Sequence, residues 1–378
     1  MKTNKCRVCG HDLFKAPLLK LENMPKAAQY LPDAKTLVND NGIRLEVCQC
    51  SGCGLVQLNN KPVPYYREVI RAAAFSPEMR IFRAKQFAAF VSRYSLKGEK
   101  VIEIGCGHGE YLEIMREQGV EAFGLEHLAK AVAQCKKKGL KTRQGFIDKA
   151  STKILGAPFV AFFMMSFLEH LPEPNTTLVG IRNNLDDGGF GLVEVPNFDL
   201  ILQQNLFAEF IGDHLFYFTK ETLARTLELN GFDVIECQEV WHNYIISAVV
   251  KKRRKLELNG LKHQQTCLKF EIQALLDRYQ EKQVAVWGAG HQALALIALM
   301  GIAKKIKYVV DSATFKQGKY TPATHLPIVG PDKLDSDPAK AIIVVAASYS
   351  AEVVGIIKQK YGNKVEIFVI KEGTIKTV

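Results

Sequence analysis

The sequence predicts an α/β protein with two doubly wound units behind a small cysteine-bearing lobe. Three observations predict it. Val101-Ile102-Glu103-Ile104 runs into Gly105-Cys106-Gly107-His108-Gly109 and then a helical pattern (Tyr111, Leu112, Ile114, Met115), giving strand, glycine turn and helix in succession. A second such opening stands at Val284-Ala285-Val286-Trp287, followed by Gly288-Ala289-Gly290-His291-Gln292-Ala293. Five of the nine cysteines fall within the first 53 residues. At 378 residues the chain exceeds one ordinary core and suits two or three domains. The expected divisions are 1–75, 76–255 and 256–378.

In the first α/β unit the glycine spacing is Glu-x-Gly-x-Gly-x-Gly, not the Gly-x-Gly-x-x-Gly of dinucleotide binders. Glycines without a Cβ let the backbone bend and approach a ligand closely. The next strand, Glu121-Ala122-Phe123-Gly124-Leu125-Glu126, ends in a carboxylate 17 residues beyond Gly109. A carboxylate at that strand tip can accept both hydroxyls of a ribose. Phe159 to Met165 reads as a buried strand and runs into Ser166-Phe167-Leu168-Glu169-His170-Leu171. Asp186-Asp187-Gly188-Gly189 then turns into the strand Phe190 to Asn197.

Two C-x-x-C pairs, Cys6/Cys9 and Cys50/Cys53, are each followed by glycine. Four thiolates suit a tetrahedral zinc, and such a site is closed and structural because no coordination position stays open. Buried thiols or disulfides are the alternatives. Met1-Lys2-Thr3-Asn4-Lys5 leads straight into the first pair without an apolar stretch, and the cysteine count is odd. Both features point to a reducing, cytoplasmic setting. Cys48 reads as an apolar strand residue beside the site.

The last third repeats the α/β logic. A helix over Leu268 to Tyr279 is expected to lead into Val284 to Trp287. The strand Ile306 to Asp311 ends in an acid 23 residues after Gly288, and Ala341 to Ser348 reads as another buried strand. On pattern alone this half fits a dinucleotide fingerprint, so an NAD-binding redox protein is one reading. The basic run Lys251 to Lys255 lacks interleaved aromatics and reads as a solvated linker.

The order of these modules resembles the zinc-containing, S-adenosylmethionine-dependent sugar C-methyltransferases that act on nucleotide-linked 4-keto-deoxysugars. The resemblance rests on the zinc knuckle with Cys53-Gly54-Leu55-Val56-Gln57, the succession over residues 98–250, and a tail containing Lys316 to Pro322 and His325-Leu326-Pro327-Ile328. It implies a class I methyltransferase Rossmann-like core, an N-terminal zinc-binding lobe and a C-terminal Rossmann-like α/β domain. It also implies that Gly105, Gly107, Gly109, Glu103, Glu126 and Ser166 serve the cofactor, and that Gly288 and Gly290 hold the nucleotide of the substrate.

Carbon methylation requires a base that removes a proton beside a carbonyl, and histidine suits that task. The resemblance places a histidine base after the Glu194-Val195-Pro196 strand, at His214, with Asp213 orienting it. The family usually has a tyrosine where this chain has Ile211 and an asparagine where it has Ser166. Methylation of oxygen or nitrogen on another small anionic acceptor is therefore an alternative. Tyr65, Tyr66, His170 and His242 are further candidates for contacting substrate.

The net charge of +11 suits an anionic small molecule such as a nucleotide diphosphate. No basic stripe or nucleic-acid module accompanies it, and no apolar run reaches membrane-spanning length. Neither nucleic acid nor membrane is an expected partner, and the sequence leaves the oligomeric state open.

Overall fold

The computed structural model describes residues 4–29, 31–68 and 76–378. In chain order the first strands are β1 (Leu19–Met24), β2 (Ile43–Gln49), β3 (Val56–Leu58), β4 (Lys100–Ile104), β5 (Glu121–Glu126) and β6 (Lys141–Gln144). There follow β7 (Phe159–Met165), β8 (Leu185–Pro196), β9 (Phe216–Tyr217), β10 (Phe232–Val240) and β11 (Ile245–Lys252). The remaining strands are β12 (Val284–Trp287), β13 (Ile306–Val310), β14 (Ile328–Val329), β15 (Ala341–Val344), β16 (Glu366–Lys371) and β17 (Thr374–Thr377). The chain divides into two compact units, Met1–Arg254 and Lys255–Val378.

The first unit contains a seven-stranded sheet in the order β10-β11-β8-β7-β4-β5-β6. Strands β4 to β8 of this sheet run parallel, whereas β11 is antiparallel to both β8 and β10. The apolar run of β7 is buried almost throughout, as a central parallel strand covered on both faces must be. Because β4 is flanked by β5 and β7, the winding reverses there. A crevice consequently opens beyond the carboxyl ends of those strands. The helix Pro77–Arg93 is capped by the Ser76 side chain and packs Phe87, Phe90 and Val91 into the core. Its Arg83 is buried with Glu194 of β8 in an ion pair of 2.5 Å, and Gln86 donates to the same carboxylate. A buried charge pair of this kind is tolerated only with both partners present.

The cysteine lobe belongs to this unit rather than standing apart from it. Its sheet runs β1-β2-β3-β9, so its fourth strand comes from residues far along the chain. Cys48 on β2 is buried, as an apolar strand residue. The Asp186-Asp187-Gly188-Gly189 stretch, expected as a turn, lies inside β8, and the β7–β8 register shifts beside it. The irregularity absorbs the extra residues without ending the strand.

The second unit is a six-stranded sheet in the order β14-β13-β12-β15-β16-β17, parallel except for β17. Its own reversal point lies between β12 and β15, at the Gly288 turn. The leading helix spans Asn259–Leu276 instead of Leu268 to Tyr279. Its first turns are almost wholly exposed, so no apolar periodicity announced them. Tyr279 packs in the core beyond its end. Strand β15 stops at Val344 rather than Ser348, and a short 3-10 turn follows.

Candidate functional site

The four knuckle cysteines converge. The Cys6 and Cys53 sulfurs are 3.7 Å apart and those of Cys9 and Cys50 3.4 Å apart. All four ligand atoms lie within 4.8 Å of one another. Zinc–sulfur bonds of about 2.3 Å at tetrahedral angles place sulfurs roughly 3.8 Å apart, so the set fits the ion. Backbone amides of Val8 and Gly52 point at the Cys6 and Cys50 sulfurs at 3.4 and 3.3 Å, which supports thiolate charge. The amide of Cys53 does the same toward Cys50 at 3.4 Å.

At the crevice of the seven-stranded sheet, the glycine loop leaves β4. Gly109 has φ of +82°, and a Cβ there would meet Leu140 Cδ1 at 2.6 Å and Cys135 Sγ at 2.9 Å. Glu126, at the tip of β5, accepts from the amide of Gly107 at 2.9 Å and from that of Leu128 at 2.8 Å. The acid thus braces the loop. Each carboxylate oxygen still has acceptor capacity for a ribose hydroxyl. Glu103 lies inside the sheet, fully buried, in register with Gly124 on β5 and Phe163 on β7. Ser166 follows β7 with φ of +51° and donates its amide to the Glu194 carbonyl at 2.8 Å. Gly105, Glu126, His127, Phe146 and Arg67 line a shared pocket. Tyr66 is held at the same mouth, where Arg67 Nε donates to its hydroxyl at 3.0 Å and the guanidinium lies over Phe146. A cofactor with a ribose and an aromatic base finds both kinds of contact there.

His214 and His170 come together at the adjoining strand end. Their rings meet edge to face with centroids 4.7 Å apart. His170 sits on a 3-10 turn (Leu168–His170) after β7. His214 sits on the loop before β9, pinned where the Leu215 amide donates to the Glu169 carbonyl at 2.8 Å. Burial pushes the His170 imidazole down to about 4. Burial, then the neighbouring His170, pushes His214 down to about 3. Both rings are therefore uncharged at neutral pH.

Asp213 does not orient His214. Its carboxylate accepts from the Tyr65 hydroxyl at 2.7 Å, and among the described residues no hydrogen bond joins it to the His214 ring. Its backbone carbonyl instead meets His170 Nδ1 at 2.8 Å. Asp213 lies in a tight turn, closed where the His214 amide donates to the Ile211 carbonyl at 3.2 Å, and in that turn its side chain faces Tyr65. His242 stands apart from the pair. It is exposed on the β10–β11 turn, 3.3 Å from Glu78 on the helix Pro77–Arg93. Two neighbours of these residues were not singled out in the sequence: Arg67, which lines the pocket, and Glu169, which lies beside His170. Glu169 is buried beside His170, and its place next to a strand-end histidine was the available signal.

In the second unit, Gly288 has φ of +114°, and a Cβ there would lie 2.4 Å from the Val345 carbonyl oxygen. Only glycine lets the turn pass so close to the neighbouring strand. Gly290 caps the helix His291–Met300. Asp311 does not stand open at its strand end. It accepts from the Ala289 amide at 2.7 Å and from Lys316 Nζ at 2.9 Å.

Comparison with known proteins covers the same three modules. Residues 6–64 match a zinc binding domain, residues 79–237 a methyltransferase domain, and residues 255–370 a C-methyltransferase C-terminal domain. The chain is 25% identical to the C-methyltransferase NovU of Streptomyces niveus, across 95% of this chain and 93% of that protein. It is also 25% identical to a ubiquinone biosynthesis O-methyltransferase of Azoarcus sp., over 44% of this chain and 78% of the relative. The solved structure of the PH0226 protein from Pyrococcus horikoshii overlaps 51% of this chain and 100% of its own. At 15% identity and a TM-score of 0.41, that overlap is too slight to add to the domain matches.

Proposed function

Since this chain belongs to the zinc-containing, S-adenosylmethionine-dependent C-methyltransferases, we propose that its acceptor is a nucleotide-linked keto-deoxysugar and that His214 is the base. The observation that carries the reading is His214 packed edge to face against His170, which follows β7, beside β4 and β5 whose carboxyl ends bear the glycine loop and Glu126. S-adenosylmethionine supplies an electrophilic sulfonium methyl. Glu126 and the loop hold its ribose, while Phe146 and Arg67 offer flat faces to its base.

The chain's own part is to make the acceptor carbon nucleophilic. His214 takes the proton on the carbon beside the carbonyl, and the charge left behind spreads onto the carbonyl oxygen. The His170 Nδ1 bond to the Asp213 carbonyl fixes both histidine-bearing segments against one another, so the base does not wander during proton transfer. Tyr65 stays on the Asp213 carboxylate and Tyr66 at the pocket mouth, both within reach of an incoming sugar. Gly288 and Gly290 would take the substrate nucleotide through the turn and the helix start of the second unit.

The test is His214→Ala assayed with keto-deoxysugar nucleotides in deuterated water. Turnover and deuterium exchange at the acceptor carbon should both vanish, while calorimetric affinity for S-adenosylhomocysteine stays within about twofold. Full turnover in the variant would reject His214 as the base. A second reading, transfer to oxygen, draws on Ile211 and Ser166 and on the partial match to an O-methyltransferase. Methylation of an acceptor without any exchange at carbon would favour it.

A further inference from the structure

One buried acid takes no part in the chemistry above. The Glu169 side chain is 1% exposed, and its Oε2 has no hydrogen-bond partner among the described residues. Its Oε1 lies 3.8 Å from His170 Nε2. No lysine or arginine pairs with it among the described residues. An ionised carboxylate in such a place would carry an uncompensated desolvation cost. Burial accordingly pushes the Glu169 carboxyl up to about 8, which leaves it protonated at neutral pH.

The opposite edge of His170 decides what that proton is for. A carbonyl oxygen can only accept, so the Nδ1 that meets the Asp213 carbonyl at 2.8 Å bears hydrogen. In a neutral ring Nε2 then carries a lone pair, and that lone pair faces Glu169. A carboxylate and a lone pair would repel one another. A carboxylic acid, turned so that its hydroxyl is the oxygen nearer the ring, gives the lone pair a donor. The 3.8 Å separation is a loose contact of the kind that tightens when a site is filled.

We propose that Glu169 works as a neutral carboxylic acid that donates to His170 Nε2. It thereby locks His170 in its Nδ1–H form against the Asp213 carbonyl and steadies the His214 ring packed edge-on against it. The idea rests on His214 as the base, and Glu169 is a positioning residue because it reaches the acceptor only through the two rings. The titratable groups facing it are His170, His214, Asp213 on the same loop, and Tyr244. The Tyr244 phenol is disfavoured from ionising by burial, by Glu209 and by Glu169. None of these supplies a positive charge at neutral pH, so ionisation of Glu169 finds no counterion and unseats His170.

Glu169→Gln keeps an N–H donor of the same shape and cannot ionise, whereas Glu169→Leu removes the donor. With the full-length, zinc-loaded enzyme, kcat in the Leu variant should fall about 100-fold, the scale of a misplaced catalytic group. Acceptor KM and S-adenosylhomocysteine affinity should hold. The Gln variant should stay within about threefold of wild type at pH 7. Wild-type kcat should decline above about pH 8, and the Gln variant should lose that decline. Nitrogen-15 NMR of labelled histidines should report His170 as the Nδ1–H tautomer in wild type and Gln, and as a mixture in Leu.

A Gln variant as impaired as Leu, or one that keeps the alkaline decline, would overturn the proposal. Bound divalent metal beyond the knuckle zinc, lost on Glu169→Gln, would overturn it in favour of a metal centre on Glu169, His170 and His214. Should the Gln variant fail to fold, the wild-type tautomer decides, and an Nε2–H ring would sink the idea. The tautomer is read without acceptor, so this failure is separable from an active His214→Ala.

Discussion

Gly109 occupies a backbone region closed to most side chains, with Leu140 and Cys135 where a Cβ would go. Gly109→Ala should therefore cost about 1–3 kcal/mol through strain and overpacking. It should also weaken S-adenosylmethionine binding, both effects being readable by thermal denaturation and calorimetry. The buried histidines and Glu169 shape stability in opposite directions. His170 and His214 bind protons more readily unfolded, near 6.5, than folded, near 4 and 3. Their contribution is present above pH 6.5 and is lost as pH falls toward 4. Glu169 binds its proton more tightly folded, so its contribution is present below about 4.5 and is lost as pH rises through about 8. Chemical denaturation across pH should give a maximum near pH 6.5. The fall from there to pH 8 should disappear in Glu169→Gln.

Elements with a strong sequence signature were legible, and those defined by packing were not. Strands β5 and β7 and the glycine turn could be read because apolar runs ended in residues with special geometry. The first turns of Asn259–Leu276 could not, since a nearly all-exposed stretch carries no periodicity. Asp213 and His214 are adjacent in sequence, yet the loop sends the Asp213 side chain to Tyr65. Only three-dimensional placement shows that. The zinc knuckle is an element whose loss should propagate. Cys53→Ser should release zinc to a chromogenic chelator and lower the melting temperature. It should also reduce turnover, because β3 is bonded to β9, which follows the His214 loop. Unchanged turnover in zinc-free protein would contradict that coupling.

At the scale of the whole chain, the expected 255/256 boundary lies one residue from the division at Arg254/Lys255, whereas the union of the lobe with the core was not readable. Three modules were visible in sequence, but the lobe and core form one unit through a strand contributed by Phe216–Tyr217. No periodicity announces a two-residue strand. A fragment ending at Arg254 is expected to unfold cooperatively and bind S-adenosylhomocysteine like the full chain. It should lose measurable affinity for nucleotide sugars. Retained affinity for the sugar nucleotide would move that role out of the second unit.

The borrowed strand also bears on synthesis. While the chain emerges from the ribosome, the edge of Val56–Leu58 stays bare until Tyr217 has cleared the exit tunnel. Through that interval the lobe can gather its zinc and still present an unpaired, buried-type edge to other nascent chains. Chains arrested before that point should be the ones that chaperones capture.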